Sequence, residues 1–191
     1  MLRIVNLEEM QDMLLRIPGL VDMQEQRDTD FIPDVKQWLS KLEKTLENNR
    51  LPSAGNIAAL RAMLISAERG VIPAGVEFHG RATGRKIRDA AAAFVLRLAG
   101  DIVSNAIQKD SARVADAERM TRQLVALAKA KGLIREIPSG ENFTDMLKAI
   151  WKALSADTDI APGTINVEGL LGPHDTLIIL DRTITSDMQK E

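Results

Sequence analysis

The chain has 191 residues, a formal net charge of −2, no cysteine and no tyrosine. A protein of this length buries roughly 70% of its unfolded surface and needs no covalent staple. The lack of cysteine excludes disulfides, thiolate catalysis and Cys-ligated zinc or iron–sulfur sites, and 45% hydrophobic with 27% charged residues is the composition of a folded chain, not of a disordered one.

Met1-Leu2-Arg3-Ile4-Val5 gives way at once to Asn6, Glu8 and Glu9, so no signal-peptide core is expected. The longest unbroken apolar run, Ala90 to Leu96, has seven residues, well under the ~20 that span a bilayer. The expectation is a cytoplasmic protein with no membrane partner.

Taken in order, Asn6 and Glu9 resemble a capping box, followed by Leu7, Met10, Leu14 and Ile17 at helical spacing and a stop at Pro18-Gly19. A short helix over residues 20–27 is expected next. Pro33 fits a first helical turn, and Val35, Trp38, Leu39, Leu42 and Leu46 make one apolar stripe with charged residues outside it. Ser53 is positioned to cap a helix whose inner side is Ile57, Leu60, Leu64 and Ala67, with Gly70 as its left-handed stop. Val71 to Gly84 reads as a loop, with one short strand at Val76–Phe78.

Arg85 to Gln108 carries the strongest helical pattern, through Ile87, Ala91, Phe94, Leu98, Ile102 and Ile107. Gly100 interrupts it and implies a bend or a close contact. Asp110-Ser111 offers a turn and a new cap, after which Val114, Ala117, Met120, Leu124 and Leu127 continue to Gly132. Two antiparallel helices are therefore expected over 85–131. A single uninterrupted helix is the alternative, and it would leave a long apolar stripe for a partner chain. A further helix from Ser139 carries Phe143, Met146, Leu147, Ile150, Trp151 and Leu154. Thr164–Val167 and Thr176–Leu180, separated by the turn signal Gly172–Asp175, read as β-type runs. The fold class expected is mainly α: a multi-helix bundle around a central hairpin, comprising a helical domain over 1–156 and a small β-type appendage over 157–191.

Charge is unevenly placed. Residues 81–131 hold eleven Lys/Arg against five Asp/Glu, while residues 22–34 carry Asp22, Glu25, Asp28, Asp30 and Asp34 against Arg27 alone. Arg81, Arg85, Lys86 and Arg88 cluster where a Gly-punctuated loop enters a helix, and such a helix N-terminus favours anions. Arg119 and Arg122, with Arg113, Lys129 and Lys131, would extend that patch. These residues form a candidate site for phosphate or nucleic acid. The alternative is that Asp89 and the acidic segment neutralise them. The loop fails the phosphate-cradle motif, because Arg81-Ala82 stands where Lys and a hydroxyl are needed.

His79 and His174 are the only histidines. Neither has more than one neighbouring carboxylate, too few ligands for a metal, and no nucleophile stands beside them. Asp28-Thr29-Asp30 and Asp157-Thr158-Asp159 read as turns or caps. No catalytic residue, metal or cofactor is therefore expected. The leading reading is a non-catalytic helical interaction protein that self-associates or binds a protein partner. An anion-binding protein using the 81–88 cluster comes second, and an enzyme with a site assembled from distant segments third.

Overall fold

A computed structural model describes residues 1–76, 83–134 and 143–188. Every regular element among them is an α-helix: α1 (Ile4–Leu15), α2 (Ile17–Glu25), α3 (Phe31–Asn48), α4 (Ala54–Glu68), α5 (Gly84–Ala130), α6 (Phe143–Ala156), α7 (Ala161–Leu171) and α8 (Pro173–Met188). They form two units that divide inside α5. The first contains Leu2 and Ile4–Lys109, and the second Asp110–Glu191 with Met1 and Arg3.

The first unit follows the apolar patterning closely. Val35, Trp38, Leu39, Leu42 and Leu46 of α3 are all buried, as are Ile57, Leu60, Leu64 and Ala67 of α4. Met10 and Met13 fill the interior beside them, the gap-filling role suited to a flexible thioether. The Trp38 indole N–H donates to the Met13 carbonyl at 3.0 Å, so the one polar atom of that buried ring is satisfied. Gly70 has φ +84°, and the Val71 N–H reaches back to the Ser66 carbonyl at 3.1 Å, which closes α4 with a Schellman-type stop.

Several local expectations need correction here. α1 starts at Ile4, so Asn6 lies inside the helix, where its side chain bonds that of Asn49. Pro18 ends α1 but also supplies the first turn of α2, since a proline there gives up an N–H that has no helical partner. The expected strand begins at Val76, which is irregular, and residues 77–78 lie outside the described residues.

The expected hairpin over 85–131 is a single helix. Asp110 and Ser111 are mediocre helix formers, yet each costs only a few tenths of a kcal/mol, and with no Pro or Gly between them propagation continues. The Asp110 carboxylate is engaged by Arg113, one turn on, at 3.1 Å. Gly100 causes no break. A methyl there would come within 2.9 Å of Ile17 Cδ1, so the glycine permits a close approach.

The expected C-terminal β element is also corrected: Thr164–Val167 lies in α7 and Thr176–Leu180 in α8. Their β-branched residues alternate locally, but Ile160, Thr164, Val167 and Leu171, then Thr176, Ile179, Leu180, Thr183 and Ile184, are buried at helical spacing. The threonine hydroxyls donate back along their own helices, Thr164 to the Ala161 carbonyl, Thr176 to Gly172 and Thr183 to Ile179, each at 2.8 Å. That local bond satisfies a buried hydroxyl in a helix. Gly172, at φ +79°, ends α7, and Pro173 opens α8.

Candidate functional site

The N-terminus of α5 is the place where the sequence concentrated its candidate anion ligands. Arg81 lies outside the described residues. Arg85 and Arg88 line a cleft of about 380 Å³ together with Asp28, Thr29, Ile32, Pro33, Glu68 and Asp89. The lining therefore holds two guanidinium groups and three carboxylates. Arg85 sits 3.6 Å from Asp89 and donates to the Arg27 carbonyl at 3.2 Å. Arg88 donates from Nε to the Gly84 carbonyl at 3.2 Å. Glu68 is occupied by Lys36, at 2.9 Å. Lys86 is exposed. An incoming anion at this cleft would meet carboxylates as well as guanidinium groups.

Arg119 and Arg122 belong to the other unit. Arg119 pairs with Asp116 at 2.9 Å, and Arg122 is exposed. Lys131 is more firmly held. Its ammonium donates to both oxygens of Asp157, at 2.7 and 3.0 Å, and to Asp159. Asp157 in turn accepts the backbone N–H groups of Asp159 at 3.0 Å and Ile160 at 3.2 Å. Asp157 thus closes the turn that leads into α7 and anchors the end of α5. The Asp157 hydrogen bond holds the Lys131 ammonium above its usual range, and the Lys131 hydrogen bond holds the Asp157 carboxyl below its own. Asp28 likewise accepts the Asp30 N–H at 2.9 Å. Both Asp-Thr-Asp segments are turns that lead into helices, each closed by its first aspartate.

His79 lies outside the described residues. His174 is exposed in the first turn of α8, while its neighbour Asp175 is buried and lies 3.8 Å from Arg3. Among the described residues, no group of three or more His, Asp or Glu is placed to hold a metal ion.

A second surface feature lies farther along α5, and sequence reading did not single it out. Ala90, Ala93, Phe94 and Arg97, with Gly75 and Val76 opposite, line a groove of about 450 Å³. The Arg97 guanidinium lies 5.8 Å from the centre of the Phe94 ring, within cation–π range. Gly75, at φ +84°, leaves its α-carbon side open to that ring, and a methyl there would sit 3.0 Å from Phe94 Cζ. This part of α5 is also where apolar content is highest. The run from Ala90 to Ile107 contains only Arg97 and Asp101 as charges. An 18-residue window of α5 has the length and composition of a membrane span, yet Arg97, Asp101, Ser104 and Asn105 are exposed along that run.

No family model, curated protein or solved structure matches this chain.

Proposed function

We propose that this protein is a non-catalytic helical interaction protein that self-associates. The observation that carries the reading is the groove on α5, where Ala90, Ala93 and Phe94 are only half-buried beside exposed Arg97. Between Ala90 and Ile107 the exposed residues are Arg97, Asp101, Ser104 and Asn105, and a half-covered apolar strip edged by such groups is suited to a partner. Val71 and Ile72, 57% and 50% exposed, add apolar surface just before Gly75.

Anion binding is the second reading. In its favour is the cleft at the N-terminus of α5, where Arg85 and Arg88 converge, since a helix N-terminus favours anions. Against it stand the carboxylates of Asp28, Glu68 and Asp89 in the same lining.

Native mass spectrometry of the freshly purified chain at moderate salt separates the two. Self-association requires a defined oligomer without adduct. A stoichiometric anionic adduct, lost on changing Arg81, Arg85, Lys86 and Arg88 to Ala, would put anion binding first. A bare monomer at every concentration would refute self-association.

A further inference from the structure

Lys86, Ala90, Ala93, Phe94, Arg97 and Asp101 form one narrow stripe along α5. At 100° per residue all six fall within about 50° of a common line. Their spacing is symmetric about the midpoint between Ala93 and Phe94, reading four, three, one, three, four. Lys86, Arg97 and Asp101 are exposed, and Ala90, Ala93 and Phe94 are half-buried. Among the described residues, neither Lys86 nor Asp101 takes part in an ion pair.

We infer that this stripe is a two-fold interface in which α5 of one copy packs antiparallel on α5 of a second. The inference rests on the self-association reading and names its surface and register. Antiparallel pairing about the Ala93–Phe94 midpoint sets Lys86 against Asp101 of the second copy. It sets Ala93 against Phe94, and Ala90 against the aliphatic stem of Arg97. Each large side chain thus meets a small one, and each of the two unmatched charges meets its opposite. The two-fold axis repeats every contact, as an isologous interface must. The groove formed by Ala90, Ala93, Phe94 and Arg97 with Gly75 and Val76 is the seat for the second helix. A second copy satisfies both ends of the stripe. A lipid surface would leave the charges of Arg97 and Asp101 facing hydrocarbon without a partner, which is strongly unfavourable.

The contact runs about 22 Å along the helix, from residue 86 to 101. That is short beside the ~800 Å² per partner of a standard stable interface, so a dimer with a Kd in the micromolar range is expected. Sedimentation velocity on the full chain, from about 1 to 200 µM, brackets that range. Lys86→Glu and Asp101→Lys each place like charges together twice per dimer, and each should weaken the dimer at least about tenfold. The double variant restores opposite charges and should return to within about threefold of the parent. Both positions are exposed, so circular dichroism should report an unchanged helical fold.

A parent chain monomeric throughout would overturn both the interface and the self-association reading. An oligomer indifferent to the two single changes would overturn the interface alone. Singles that weaken the dimer without rescue by the double would overturn the register. Co-sedimentation of the parent chain with neutral phosphatidylcholine vesicles, in place of dimerisation, would assign the stripe to a lipid surface and overturn the inference.

Discussion

Gly163 and Gly169 lie in the same helix, α7, and the same substitution is expected to act oppositely on them. Replacing a helical glycine by alanine removes backbone freedom from the unfolded chain and gains up to about 1 kcal/mol. At Gly169 a methyl meets nothing within 4 Å, so the full gain should appear and Gly169→Ala should stabilise by about 0.5–1 kcal/mol. At Gly163 the methyl would overlap Leu124 Cδ2, with Leu124 Cγ and Cδ1 both at 3.3 Å. Those two distances are already inside the 3.5–4.0 Å optimum for carbon pairs. Leu124 must leave its rotamer or α7 must shift, and overpacking of this kind costs about 1–3 kcal/mol. Gly163→Ala should therefore be neutral to destabilising by about 2 kcal/mol, the helix gain offsetting part of the clash. Urea denaturation followed by tryptophan fluorescence would measure both, compared at constant slope. A double-mutant cycle with Leu124→Ala should show Gly163→Ala becoming favourable once the leucine is gone. Equal stabilisation at the two glycines, with no coupling to Leu124, would refute the argument.

Thr121 is fully buried and its hydroxyl has no hydrogen-bond partner among the described residues. Thr121→Val should stabilise by about 1 kcal/mol in thermal or urea unfolding, whereas Thr176→Val should destabilise, because it removes the bond to the Gly172 carbonyl. Trp38→Phe removes the indole bond to the Met13 carbonyl, which keeps the Arg16 N–H, and opens a void, so a loss of about 1–2 kcal/mol is expected by the same assay. The Lys131–Asp157 pair makes stability depend on pH. Asp157 sits below its ordinary value of 3.8, so its contribution is present above that pH and is lost as pH falls through the lowered value. Lys131 sits above its ordinary 10.5, so its contribution holds below that pH and is lost only in stronger alkali. Lys131→Met should accordingly lower stability at pH 7, with the difference from the parent shrinking toward pH 3, as read by urea midpoints at the two pH values.

Much of the first unit was legible in the sequence. The α3 stripe from Val35 to Leu46, the inner side of α4 and the left-handed stop at Gly70 each follow from local rules: helical spacing decides which side chains share a face, and only glycine takes that backbone conformation without cost. The Asp-Thr-Asp turns followed from side-chain chemistry in the same way. Three features were decided by the tertiary structure. Continuity through Asp110-Ser111 was one, because a small propensity penalty yields to propagation and to the Arg113 pair. The helical state of residues 164–180 was another. Their β-branched residues fit a two-residue or a helical period over short spans, and burial of Thr164, Val167 and Leu171 together on one face selects the helix. The third was the setting of the basic cluster. Arg85 and Arg88 were visible as charges, but Asp28 and Glu68 arrive beside them from α3's approach and the end of α4. Sequence by itself thus determined which residues seek the interior and where helices stop, since those depend on neighbours within a turn or two. Only the packed chain decided which charges meet and how much of α5 stays uncovered, because both depend on segments far apart along the backbone.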